Sequence, residues 1–91
     1  MSYSNNSKVN EAVVAKAVRH MDHYGVEHER WYVGIEEAGS DRGDHGIRHP
    51  KRYELKSEEA AKRTMSRLLG MGLQADDEYG AEPTILFIYT R

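Results

Sequence analysis

Val9, Val13, Ala17 and Met21 recur at four-residue spacing, with Val14 and Val18 beside them. That is the period of a helix with one apolar face. The spacing predicts a helix from Ser7 to Tyr24, capped by Asn6 or Ser7 and stopped at Gly25. Residues 1–6 read as a frayed, disordered terminus. Lys16, Arg19, His20 and His23 form a polar stripe on the opposite face of the helix.

The period then changes. Arg30 to Glu36 is aromatic and β-branched, with Trp31, Val33 and Ile35 on one face of a strand and Tyr32, Gly34 and Glu36 on the other. Residues 37–50 hold three glycines, a proline and alternating charges, and read as a long polar loop. Arg52 to Lys56 predicts a second short strand with Tyr53 and Leu55 facing inward. Together these segments read as an ordinary hairpin whose first strand belongs to the core.

Ser57-Glu58-Glu59-Ala60 opens a second helix: the serine caps it and the acidic residues complement the dipole. Ala61, Met65, Leu68 and Leu69 form its apolar stripe, and Gly70 or Gly72 ends it. Glu58 with Lys62 and Glu59 with Arg63 are i,i+4 ion pairs. Residues 74–83 are acidic and read as turn. Thr84 to Thr90 is the strongest strand signal in the chain, apolar on both faces, which places it between the other two strands. The predicted fold is α+β in the order α-β-β-α-β: a small three-stranded sheet, mainly antiparallel, with two helices on one face.

Composition narrows the setting. At 91 residues the chain is expected to form a single domain. It contains no cysteine, which excludes disulfides and thiolate metal sites and fits a reducing cytoplasm. No apolar run approaches the roughly 20 residues that span a bilayer, so no membrane partner is expected. The net charge of −2 offers no bulk attraction to nucleic acid, so any such binding needs a local basic patch. Lys16, Arg19, His20 and His23 on the first helix, with Arg48 and Arg52 beyond the loop, supply the residues for one.

All five histidines lie between residues 20 and 49. Asp41, Asp44, His45 and His49 form a donor set that could hold a divalent cation if the loop wrapped around it, whereas His20 and His23 read as ordinary surface histidines of the first helix. Gly46 and Pro50 oppose the helix that would bring His45 and His49 to one face. The loop therefore reads as a solvated polar segment without metal, and no cofactor is expected. Nor is there a nucleophile: no serine sits in an elbow pattern, and Gly70-Met71-Gly72 is too short for a phosphate loop.

Tyr32-Val33-Gly34 resembles the second half of the GIY-YIG nuclease signature. In that superfamily a small antiparallel sheet presents two tyrosines, a following arginine and a helix-borne glutamate that binds metal. Small phage and archaeal-virus proteins with a W-Y-V-G-I strand, a histidine-bearing loop, an S-x-x-A helix and a final I-Y strand are similar in layout. Here Trp31 to Ile35, His45, Ser57 to Ala61 and Ile85 to Tyr89 are the matching pieces, within residues 30–91. The resemblance implies Tyr32, Arg42, His45 and Glu58 or Glu59 as a nuclease set. Departing from that pattern, no G-I-Y strand precedes Tyr32, and Met65 stands where the inward glutamate is sought. Without a carboxylate at the metal, phosphodiester hydrolysis loses its Lewis acid.

The expected function is that of a small non-enzymatic accessory or regulatory domain that binds another macromolecule. A protein partner or self-association comes first. A nucleic-acid-binding module and a divergent metal-dependent nuclease are the alternatives.

Overall fold

A computed structural model describes residues 9–37, 46–79 and 82–91. Along the chain run helix α1 (Glu11–Tyr24), a 3-10 turn (His28–Arg30), strands β1 (Trp31–Glu36) and β2 (Arg48–Glu54), helix α2 (Glu58–Leu69), and strands β3 (Gln74–Tyr79) and β4 (Ile85–Thr90). The fold is α+β with two helices and a four-stranded mixed sheet in the order β2-β4-β1-β3.

Three expectations change. The sheet has four strands among the described residues, because the acidic segment expected to turn over 74–83 contains β3. β3 runs parallel to β1, whereas β4 is antiparallel to both β1 and β2. The expected hairpin is absent, since β4 lies between β1 and β2. That central place for the last strand is the one its two-sided apolar pattern predicts. Leu86 and Ile88 enter the main core, while Phe87 and Tyr89 are buried on the other face.

The helices cover one face. Val13, Val14, Ala17 and Met21 of α1, with Ala60, Ala61 and Leu68 of α2, pack with Trp31, Val33, Ile35, Tyr53, Leu55, Leu86 and Ile88. Burying these side chains contributes about 1.5–3 kcal/mol for each large one. Thr64 joins Ala61 and Leu68 as a fully buried position of α2, whereas Met65 and Leu69, expected in the stripe, are only partly covered. The Thr64 hydroxyl oxygen accepts from the Asn10 N–H at 3.0 Å, which ties the start of α1 to α2.

Local chemistry sets the helix ends. The cap of α1 is Asn10, four residues or so beyond the expected position; its side chain accepts from the Val13 N–H. Gly25 ends α1 at φ 68°, a left-handed conformation that suits glycine. Ser57 caps α2 as expected. β2 begins at Arg48, inside the segment expected to be loop, and carries Pro50. The Leu55 N–H donates to the Thr84 carbonyl at 2.8 Å. β2 is an edge strand and Pro50 lies within its register irregularity, both places where a sheet tolerates proline. No helix among the described residues is long and apolar enough to cross a membrane.

Candidate functional site

The last turn of α1 meets the start of β2 in a cluster of rings. His20, His23 and Tyr24 emerge from that turn just before Gly25. His49 approaches from β2, next to a register irregularity between Arg48 and Lys51. Its φ of 55° is left-handed, unusual for a side chain of this size, and Pro50 after it narrows its backbone choices further. Two contacts hold the conformation. The His49 ring stacks on Tyr24 with centroids 3.6 Å apart and planes 17° apart. Its carbonyl accepts a hydrogen bond from His20 Nε2 at 2.8 Å, which fixes the proton of His20 on that nitrogen.

The cluster continues inward and outward. His20 meets Trp31 edge to face at 5.6 Å, and Trp31 is completely buried with its indole N–H donating to the Val26 carbonyl at 3.2 Å. His23 meets Tyr24 edge to face at 4.8 Å. Tyr24 remains 41% exposed, and is the exposed large apolar side chain among the described residues. A rooted tryptophan thus supports a solvent-facing Tyr24–His49 pair.

Charge follows the same geometry. Lys16, Arg19, His20 and His23 lie along one side of α1, and His20 places that side against the start of β2. Lys16, Arg19, Arg48 and Lys51 are all exposed. Asp22 points away, toward His28 at 3.7 Å. At the opposite edge of the sheet, the sequence of β3 holds three acidic residues among six.

The expected basic cluster is split. His20 and His23 lie beside the Tyr24–His49 stack, with Arg48 next to His49 in the chain, whereas Arg52 turns to the helix-free face. There its Nε donates to Glu36 Oε2 at 2.9 Å, and its guanidinium lies 4.1 Å above the Phe87 ring. Glu36 is 2% exposed. Nearby, Tyr32 and Tyr89 stack side by side at 5.3 Å, with the Arg91 guanidinium 5.0 Å from the Tyr32 centroid. Tyr89 donates to Asp76 Oδ2 at 2.8 Å. Burial is the main cause that lifts the Tyr89 hydroxyl above the ordinary tyrosine range; Arg91 opposes it and Asp76 adds to it. Tyr53 is raised by burial alone.

Of the nuclease set, Tyr32 is on the helix-free face, while Glu58 and Glu59 are on α2 across the sheet. Glu58 pairs with Lys62 at 2.9 Å and Glu59 with Arg63 at 3.2 Å. Tyr32 and these glutamates are not brought together. Arg42, His45, Asp41 and Asp44 lie outside the described residues, so neither the loop arginine nor the Asp41, Asp44, His45 and His49 donor set is described as a unit. Among the described residues no group of three His, Asp or Glu side chains could hold a metal ion. A shallow cavity of about 270 Å³ lies between the start of α1 and α2, lined by Val9, Arg63, Ser66 and Arg67. Both arginines there are engaged by carboxylates, Glu59 and Glu11.

Sequence reasoning missed Tyr24 as a site residue. Its adjacency to His23 and Gly25 marked a helix end, but nothing local announced His49 as its partner. No family model, curated protein or solved structure matches this chain.

Proposed function

We propose that this protein is a non-enzymatic binding domain that engages another macromolecule through the surface formed by α1 and the start of β2. One observation carries the reading: a histidine held in a left-handed conformation is stacked on the exposed Tyr24 ring. Backbone strain of this kind costs on the order of 1–3 kcal/mol and concentrates at functional sites, where surrounding contacts over-determine it. The left-handed backbone of His49 costs the fold stability, while the stack it supports leaves Tyr24 partly in water. That pattern suits a recognition surface better than a core.

The exposed Lys16, Arg19 and Arg48 make the surface locally basic, so a partner with acidic or anionic groups fits it. Accessory or regulatory action by such a domain needs no chemistry of its own. Single- and double-stranded DNA incubated with magnesium or manganese should stay uncut, in parallel with Tyr32→Phe and Glu59→Gln variants. Metal-dependent cutting abolished by either change would replace this reading with the nuclease one. Sedimentation velocity over a concentration series separates self-association from a foreign partner, and an Arg19→Glu variant should weaken whichever complex forms.

A further inference from the structure

The ring cluster joins α1, which carries Lys16 and Arg19, to the start of β2, which carries Arg48 and Lys51, and the chemistry of these groups specifies more than an anionic partner. We propose that the α1–β2 surface binds single-stranded nucleic acid, with phosphates along Lys16, Arg19, Arg48 and Lys51 and a base added to the Tyr24–His49 stack. This rests on the binding reading above and names the partner class of that same surface.

The argument has three parts. First, charge alone does not distinguish a nucleic acid from an acidic peptide, but exposed rings do. Each base offers a flat face to an aromatic side chain, whereas an acidic peptide side chain gains little from one. Tyr24 is 41% exposed in its stack with His49, and exposed His23 adjoins it at 4.8 Å. Second, the cations lie on two elements that the His20–His49 hydrogen bond joins beside the rings: Lys16 and Arg19 on α1, and Arg48 and Lys51 on β2. Third, the acidic strand β3 occupies the far edge of the sheet, beyond β4 and β1, where it does not oppose phosphates on the β2 side. A duplex would leave the rings without a base face, because its bases are stacked on one another. A single strand satisfies both the cations and the rings.

The test is fluorescence anisotropy of the whole protein with labelled dT and rU 12-mers, a labelled duplex and a labelled polyglutamate peptide, over a salt series. The single strands should bind. Lys16→Glu with Arg19→Glu should weaken them at least ten-fold and flatten the logarithmic salt slope by about 0.7 for each phosphate contact removed. Tyr24→Leu keeps apolar packing but removes the stacking ring; it should weaken binding about ten-fold and leave the salt slope unchanged, while Tyr24→Phe retains binding. Circular dichroism confirms that each variant folds, and Arg48→Glu on β2 repeats the charge test away from α1.

Other outcomes overturn the proposal at different levels. Duplex bound as tightly as single strands, with Tyr24→Leu harmless, refutes base stacking. Polyglutamate bound and nucleic acid ignored, with the same charge reversals releasing the peptide, refutes the nucleic-acid assignment and leaves the surface reading intact. No binding of any probe, or binding indifferent to all these substitutions, refutes both.

Discussion

The Tyr89 hydroxyl of β4 bonds to Asp76 of β3 at 2.8 Å, although β1 runs between those two strands. The register explains how. Tyr32 stands opposite both Tyr89 and Gln74, and the next position of β1 on that face is Gly34, which carries no side chain to obstruct the diagonal. Tyr89→Phe should lower stability by about 1 kcal/mol, the net worth of a hydrogen bond. Gly34→Val should cost more, about 1–3 kcal/mol, by forcing a side chain into the same space. Urea unfolding of the two variants checks the order.

The two raised tyrosines make stability fall at high pH. In the folded protein Tyr53 and Tyr89 hold their protons above the ordinary value near 10.0, chiefly because burial disfavours the phenolate. Between that value and the raised one, the native state binds more protons than the unfolded chain, so stability decreases as pH rises. Their contribution is complete below about pH 10 and is lost as pH climbs through the folded values. Thermal midpoints between pH 9 and 11.5 should drop, and drop less in a Tyr53→Phe, Tyr89→Phe double variant. Absorbance titration near 295 nm should show a late-ionising component that disappears in the double variant.

Trp31 is the largest fully buried side chain and lies beneath the ring cluster. Trp31→Ala should cost about 3–5 kcal/mol. Native emission should be that of a shielded indole and shift to the red on unfolding. A water-like emission maximum in the native protein would contradict the packing described.

Glu36 and Arg52 form a pair with one buried and one half-exposed partner. Arg52→Ala should cost about 2–3 kcal/mol, below the range for a wholly buried pair because water reaches the arginine side. Much of that cost is the charge-assisted hydrogen bond withdrawn from a buried carboxylate. Changing Glu36→Leu and Arg52→Leu together should therefore cost less than Arg52→Ala alone. A double-mutant cycle by chemical denaturation measures the coupling.

Periodicity exposed most of the fold. Trp31, Val33 and Ile35 alternate cleanly, and both helices show their stripes, so their burial follows from pattern alone. β3 was illegible because Gln74-Ala75-Asp76-Asp77-Glu78-Tyr79 has weak strand propensity and no inward alternation. It is a strand because β1 offers a parallel edge after α2 has returned the chain. Arg52 was legible as a cation but not as the partner of Glu36, since that depends on which face β2 turns to β4. The site was hidden for the same reason. Tyr24 and His49 meet only once β2 has paired with β4 at the edge beneath α1.

The position of β4 also governs how this chain reaches its structure. β1 and β2 do not pair with each other, and each finds a hydrogen-bonded neighbour in β4 near the end of the sequence. A chain lacking residues 85–90 would leave β2 without a strand partner, β1 paired with β3 alone, and the core open, so truncation there should abolish the fold rather than fray it. Because these contacts span most of the sequence, loop closure precedes any gain from sheet pairing, and folding should be slower than for a helical bundle of equal length. The same topology makes the last segment a candidate for complementation in trans: a peptide carrying β4 should restore order to a chain ended before it, with strand pairing as the readout.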